Sequence, residues 1–147
     1  MKLRIYALLF VMVLFAQVAA AQEVNNKPID NTPILGVWRA QMDGQPAFTL
    51  VVTDENGGLS GAILFYLLKR EDVSRPSTAT PGLPEPIFNP KFDGKTLTFQ
   101  VSHRRAHPPR TLNDPPVTFH LTLTGDGAAQ FVNTNEGGLT AVTRSDY

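Results

Sequence analysis

From residue 35 onward the chain repeats one pattern. A short run in which apolar and polar residues alternate is followed by a turn of Gly, Asp, Asn or Pro, and then by another run. Period-two alternation turns one face of a β-strand to a core and the other to solvent. The cleanest runs set Phe48, Leu50 and Val52 against Thr49, Val51 and Thr53, and Leu97, Phe99 and Val101 against Thr96, Thr98 and Gln100. A third sets Val117, Phe119, Leu121 and Leu123 against Thr118, His120 and Thr122. Eight strands are predicted, over 35–42, 47–53, 59–70, 87–92, 95–102, 117–124, 128–134 and 139–144. The residues at 43–46 (DGQP), 54–58 (DENGG), 93–94 (DG), 125–127 (GDG) and 135–138 (NEGG) are hairpin signals. After Ile34 no helical period is sustained over ten residues.

Two strands depart from the rule. The run 63–68 (ILFYLL) is apolar on both faces. It is either covered by the neighbouring proline-rich loop or used for homodimerisation, and the pattern leaves open which face points inward. The strand 87–92 contains Pro90, which predicts an edge or a bulge there. Long connections occupy 71–86 (EDVSRPSTATPGLPEP) and 103–116.

Eight sequential antiparallel strands without a crossover predict an all-β fold, an eight-stranded antiparallel up-and-down β-barrel. Such a barrel is just wide enough to be filled by side chains or to hold one small ligand. Alternating strand direction sorts the connections. The tight turns 54–58, 93–94 and 125–127 fall at one end, with Trp38 and Arg144. Both long loops fall at the other, together with 43–46 and 134–138.

The first twenty-one residues stand apart. Lys2 and Arg4 precede an apolar run that ends in Ala19-Ala20-Ala21, the pattern of a cleavable signal peptide over 1–21, with a retained anchor as the alternative. The expectation is a secreted or periplasmic protein without stable membrane insertion, beginning at Gln22. Its polar segment 22–33 reads as a flexible lead-in to a domain over 34–147. Cysteine is absent, which removes disulfides, thiol nucleophiles and thiolate metal sites. Thirteen basic residues less Lys2 and Arg4 leave eleven against thirteen acidic, a formal charge of −2. No nucleic-acid partner is expected from so neutral a chain.

The densest charge lies in 102–110 (SHRRAHPPR), on the rim of the open end. Arg104, Arg105 and Arg110 are suited to capture a carboxylate or phosphate head group, whereas the plainer reading is a solvated loop stiffened by Pro108 and Pro109. The same prolines argue against a helix that would pair His103 with His107, so no metal site is expected. No serine lies in a nucleophile motif with an evident base, and no cofactor or enzymatic activity is expected.

Gly36-Val37-Trp38 at the first strand, Leu59-Ser60-Gly61 after a Gly-rich turn, and Thr143-Arg144 at the end of the last strand resemble the calycin superfamily. That superfamily includes lipocalins, fatty-acid-binding proteins and avidins. The resemblance spans 34–147 and is similar to that of small secreted bacterial lipocalin-like domains. It implies structural roles for Gly36, Trp38 and Arg144, with the Arg lying across the Trp at the closed end. The run GVWRAQMDGQPAFTLVVTDENGGLSG resembles the first two avidin strands. Yet Ala40, Ile63 and Phe65 stand where a biotin site needs polar groups, and Trp38 is the single tryptophan, so biotin binding is not expected. The leading expectation is a non-enzymatic carrier of a small apolar or amphipathic molecule. Phe48, Leu50, Phe65, Phe99, Phe119 and Leu121 would contact it inside the barrel, and Arg104, Arg105 and Arg110 at the mouth. The alternative is a protein-interaction or inhibitor module with a filled core, using 22–33 and the long loops. Calycin-type inhibitors usually carry a disulfide, which this chain lacks.

Overall fold

A computed structural model describes residues 28–69, 78–102, 115–135 and 137–145. Residues 1–27, 70–77 and 103–114, the last including Arg104, Arg105 and Arg110, lie outside the described residues. Within them the chain forms nine strands: β1 (Gly36–Met42), β2 (Gln45–Glu55), β3 (Gly58–Lys69), β4 (Thr78–Pro81), β5 (Glu85–Phe92), β6 (Thr96–Val101), β7 (Val117–Gly125), β8 (Ala128–Asn133) and β9 (Leu139–Ser145). All neighbours pair antiparallel, in the order β2-β1-β9-β8-β7-β6-β5-β3, and β2 pairs with β3 to close the ring. The result is an eight-stranded up-and-down barrel.

The additional strand, β4, does not enlarge the ring. It and β5 run along the same edge of β3: Tyr66 faces Pro81 in β4, while Ala62 faces Pro86 in β5. Four steps along β3 thus match five along its partner, a one-residue bulge. At the break the Gly82 N–H donates to the Phe65 carbonyl at 2.8 Å. The two pieces act as one interrupted strand, and the interruption accommodates Pro81, Pro84 and Pro86, which cannot donate to a ladder. Further along β5 the register with β6 shifts between Phe88 and Lys91. Asn89 there takes φ 50°, so the predicted irregularity at Pro90 is a bulge.

The inward face holds the residues the alternation marks. Trp38, Leu50, Leu97, Phe99, Val101 and Leu121 are wholly buried, and Phe48, Val52, Phe119, Phe131 and Val142 nearly so. Inward orientation on β3 belongs to Ile63, which is fully buried, and to Phe65, which packs against the core. On the outer side of β3, Ala62 and Leu64 are half-buried. Near the middle of the barrel, Phe131 stacks on Phe119 at 5.1 Å between centroids and meets Phe48 at 4.2 Å. Phe99 stacks on Phe119 at 5.7 Å. These rings fill the barrel's waist, in geometries that add to their area burial.

One end is sealed. Residues Thr32–Ile34 form a 3-10 turn that carries Ile34, fully buried, across the barrel base. The indole Nε1–H of Trp38 donates to the Ile34 carbonyl at 2.9 Å, which satisfies a polar group that would be costly to bury unpaired. Arg144 faces Trp38 across the β1–β9 ladder, and its guanidinium carbon lies 5.9 Å from the indole centroid. It also donates to the Pro33 carbonyl and to Asp126 Oδ1, both at 3.3 Å. Gly36 adopts φ 119°, and a Cβ there would stand 3.4 Å from Arg144 Cδ. A side chain at 36 would therefore strain the backbone and crowd the arginine. The last residues of the polar lead-in are tied down: Asn31 Nδ2 donates to Asp54 Oδ2 at 3.0 Å, and Asp30 Oδ1 accepts the Thr32 N–H at 2.9 Å.

Candidate functional site

The opposite end is not sealed by described residues. It contains a cavity of about 360 Å³, at the small end of the range of ligand sites. The floor and one side are apolar: Met42, Ala47, Phe48, Phe65, Phe119 and Phe131, with Tyr66 and Leu68 from the far end of β3. The other side is polar and comes from the end of β8, the turn after it and the start of β9, as Asn133, Gly138 and Thr140. In the ring of eight, β8 and β3 lie diametrically opposite, so Asn133 faces the Phe65 side of the mouth.

Local geometry builds this shape. The β1–β2 register shifts between Ala40 and Gln41, which leaves Ala47 as an extra residue beside Phe48 and brings it to the cavity. Such bulges re-aim side chains at barrel rims. Phe65 stands opposite Phe48 in the β2–β3 ladder, with ring centroids 6.2 Å apart. Phe65 and Phe119 are 5.8 Å apart, so three rings from three strands meet below the opening. On β8, Asn133 Oδ1 accepts the Asn135 N–H at 3.0 Å. Only the oxygen of the amide can accept that proton, which fixes the amide orientation. Thr140 faces Phe131 across the β8–β9 ladder.

The six apolar candidates divide into two groups. Phe48, Phe65 and Phe119 line the cavity, whereas Leu50, Phe99 and Leu121 are wholly buried below it and do not. Sequence reasoning missed Phe131, Met42, Ala47, Asn133 and Thr140. A signal for Phe131 and Asn133 existed: they share a face with Ala129 at period two, at the end of a strand that runs toward the open end. The bulge that delivers Ala47 leaves no such trace.

The remaining polar candidates are quickly placed. His120 is on the outer face, where its Nδ1 meets Thr98 Oγ1 at 2.9 Å. Ser60 Oγ meets Thr53 Oγ1 at 2.8 Å. Among the described residues no group of three or more His, Asp or Glu is arranged to hold a metal ion. Asp43 and Lys69 are at the open end, while His103 and His107 lie outside the described residues. A second concavity, of about 420 Å³, lies on the outer face of β1–β3 and is lined by Arg39, Gln41, Thr49, Leu64 and Tyr66 among others. It is a surface hollow over a sheet, without the converging inward rings of the mouth.

Comparison with protein-family models, with curated proteins and with solved structures returned no match.

Proposed function

We propose that this chain is an exported, non-enzymatic barrel that carries a small apolar or amphipathic molecule in its mouth, as its resemblance to calycins implies. The observation that carries the reading is the 360 Å³ cavity at the open end, floored by Phe48, Phe65, Phe119 and Phe131. Barrel mouths and convergent aromatic side chains are favoured ligand sites. The filled waist beneath limits the ligand to the mouth. An anionic head group held by Arg104, Arg105 and Arg110 is the alternative form of this cargo, since 103–116 joins β6 to β7 at this same end.

A neutral aromatic dye, N-phenyl-1-naphthylamine, tests the reading with wild type and Gly138→Phe. Nothing lies within 4 Å of a Cβ built on Gly138, and its φ is not positive, so the new ring enters open space at the cavity edge. Saturable dye fluorescence in wild type and its loss in the variant, at unchanged thermal stability, supports the carrier. Equal dye binding by both proteins sinks it.

One observation favours a second reading, a protein-interaction module. Leu83 and Phe88 are 78% and 45% exposed beside Pro84 and Pro86 on the outer wall, and exposed apolar residues in a cluster suit a protein contact. The apolar outer side of β3 similarly suits a homodimer.

A further inference from the structure

The cavity is two-sided, and that asymmetry has chemical content. Phe65 and Phe119 supply aromatic surface, while the β8–β9 side supplies an amide and a hydroxyl. The Asn135 N–H takes one of the two lone pairs of Asn133 Oδ1, and the amide's two Nδ2 donors have no partner among the described residues. Thr140 Oγ1 likewise has none there, and it can donate as well. No charged side chain is among the described lining residues. A hydrocarbon filling the mouth would leave these donors desolvated and unpaired, whereas a ligand oxygen would satisfy them.

We propose, building on the carrier reading, that the mouth selects an uncharged aromatic molecule bearing a carbonyl-type oxygen on one edge. The ring lies against Phe65 and Phe119, and the oxygen accepts from Asn133 Nδ2 and Thr140 Oγ1. Specificity of this kind comes from unpaired polar groups rejecting the ligand that lacks the matching atom.

Three probes of one ring size test it: 2-acetylnaphthalene, 2-ethylnaphthalene and 2-naphthoate, titrated into isotopically labelled protein and followed by amide NMR. The ketone should bind about five- to a hundredfold more tightly than the hydrocarbon, the worth of two net hydrogen bonds, and more tightly than the carboxylate. It should move the Asn133 side-chain NH₂ signals and leave the Trp38 indole signal, at the sealed end, in place. Asn133→Asp keeps an oxygen for the Asn135 N–H and removes the donors. It should reduce the ketone's advantage while hydrocarbon affinity holds. Thr140→Val should reduce that advantage independently. Equal binding of ketone and hydrocarbon to wild type overturns the selection but leaves the carrier standing. Tighter binding of naphthoate overturns it in favour of an anionic head group. Absence of binding by all three overturns the carrier reading itself.

Discussion

Arg144 lies over the indole of Trp38, its guanidinium carbon 5.9 Å from the ring centroid, while the indole N–H is bonded to the carbonyl of Ile34. The last strand, the first strand and the turn before it are thus closed over one another at the base. Arg144→Ala should cost about 1–2 kcal/mol, the scale of a desolvated cation–π contact. Lysine should restore only part, because it lacks the planar fork that reaches Pro33 and Asp126. By contrast Asp126 is fully exposed, and its removal should leave stability nearly unchanged. Urea unfolding of the three variants checks the ranking. Equal costs for Arg144→Ala and Asp126→Ala would mean that the ion pair, not the indole, holds the arginine.

Gly61 is placed by a close approach. A Cβ built there collides with the Val51 carbonyl and stands 3.2 Å from Ile87 Cδ1. Backbone cannot move aside as a side-chain tip can, so Gly61→Ala should cost at least the 1–3 kcal/mol (roughly) of core overpacking. Gly125→Ala, with nothing within 4 Å of its Cβ, should be tolerated. Thermal unfolding of the pair provides the comparison.

Phe99 and Phe65 separate core from site. Phe99 is wholly buried, whereas Phe65 is half-buried and lines the mouth. Phe99→Ala should lose about 3–5 kcal/mol, as for other buried aromatic truncations, with naphthyl probes still bound by whatever remains folded. Phe65→Ala should lose less stability and more affinity. Denaturant midpoints and dye titration on both variants measure the two effects, and an inverted pattern would place the ligand deeper in the barrel.

Asp93 supplies a pH dependence. Its Oδ1 accepts the N–H groups of Thr96, at 2.7 Å, and Lys95, at 2.8 Å. These bonds, Thr96 first, hold its carboxyl below the usual carboxylate range. A folded pKa below the unfolded one contributes stability above the ordinary value of about 3.9, and that contribution is lost as pH falls through the folded pKa. The stability gap between wild type and Asp93→Ala should therefore be larger at neutral pH than in strong acid. Carboxyl-carbon NMR of Asp93 reads the shift directly.

Most of the barrel was legible because its strands keep period two on one buried face. Phe48-Leu50-Val52 and Leu97-Phe99-Val101 announce their orientation without help from context. The pairing of Trp38 with Arg144 followed from strand parity and the resemblance together. What was not legible has physical causes. Residues 78–81 join β3 despite three nearby prolines, because an interrupted edge pairing tolerates missing donors. Pro33 looked like part of a loose leader, yet it sits within the 3-10 turn that seats Ile34. In 63–68 both faces are apolar, so parity alone could not orient Phe65, and the β2 ladder does. The polar side of the mouth was missed because Asn133 and Thr140 end runs read only for their apolar members.

The most direct test is native mass spectrometry of the protein, purified without detergent from its own host. The account predicts a reproducible extra mass on wild type, released by organic extraction and absent from Gly138→Phe. A bare wild-type mass, with no binding of the naphthyl probes, would contradict it and leave a filled barrel whose work is done by its outer surface.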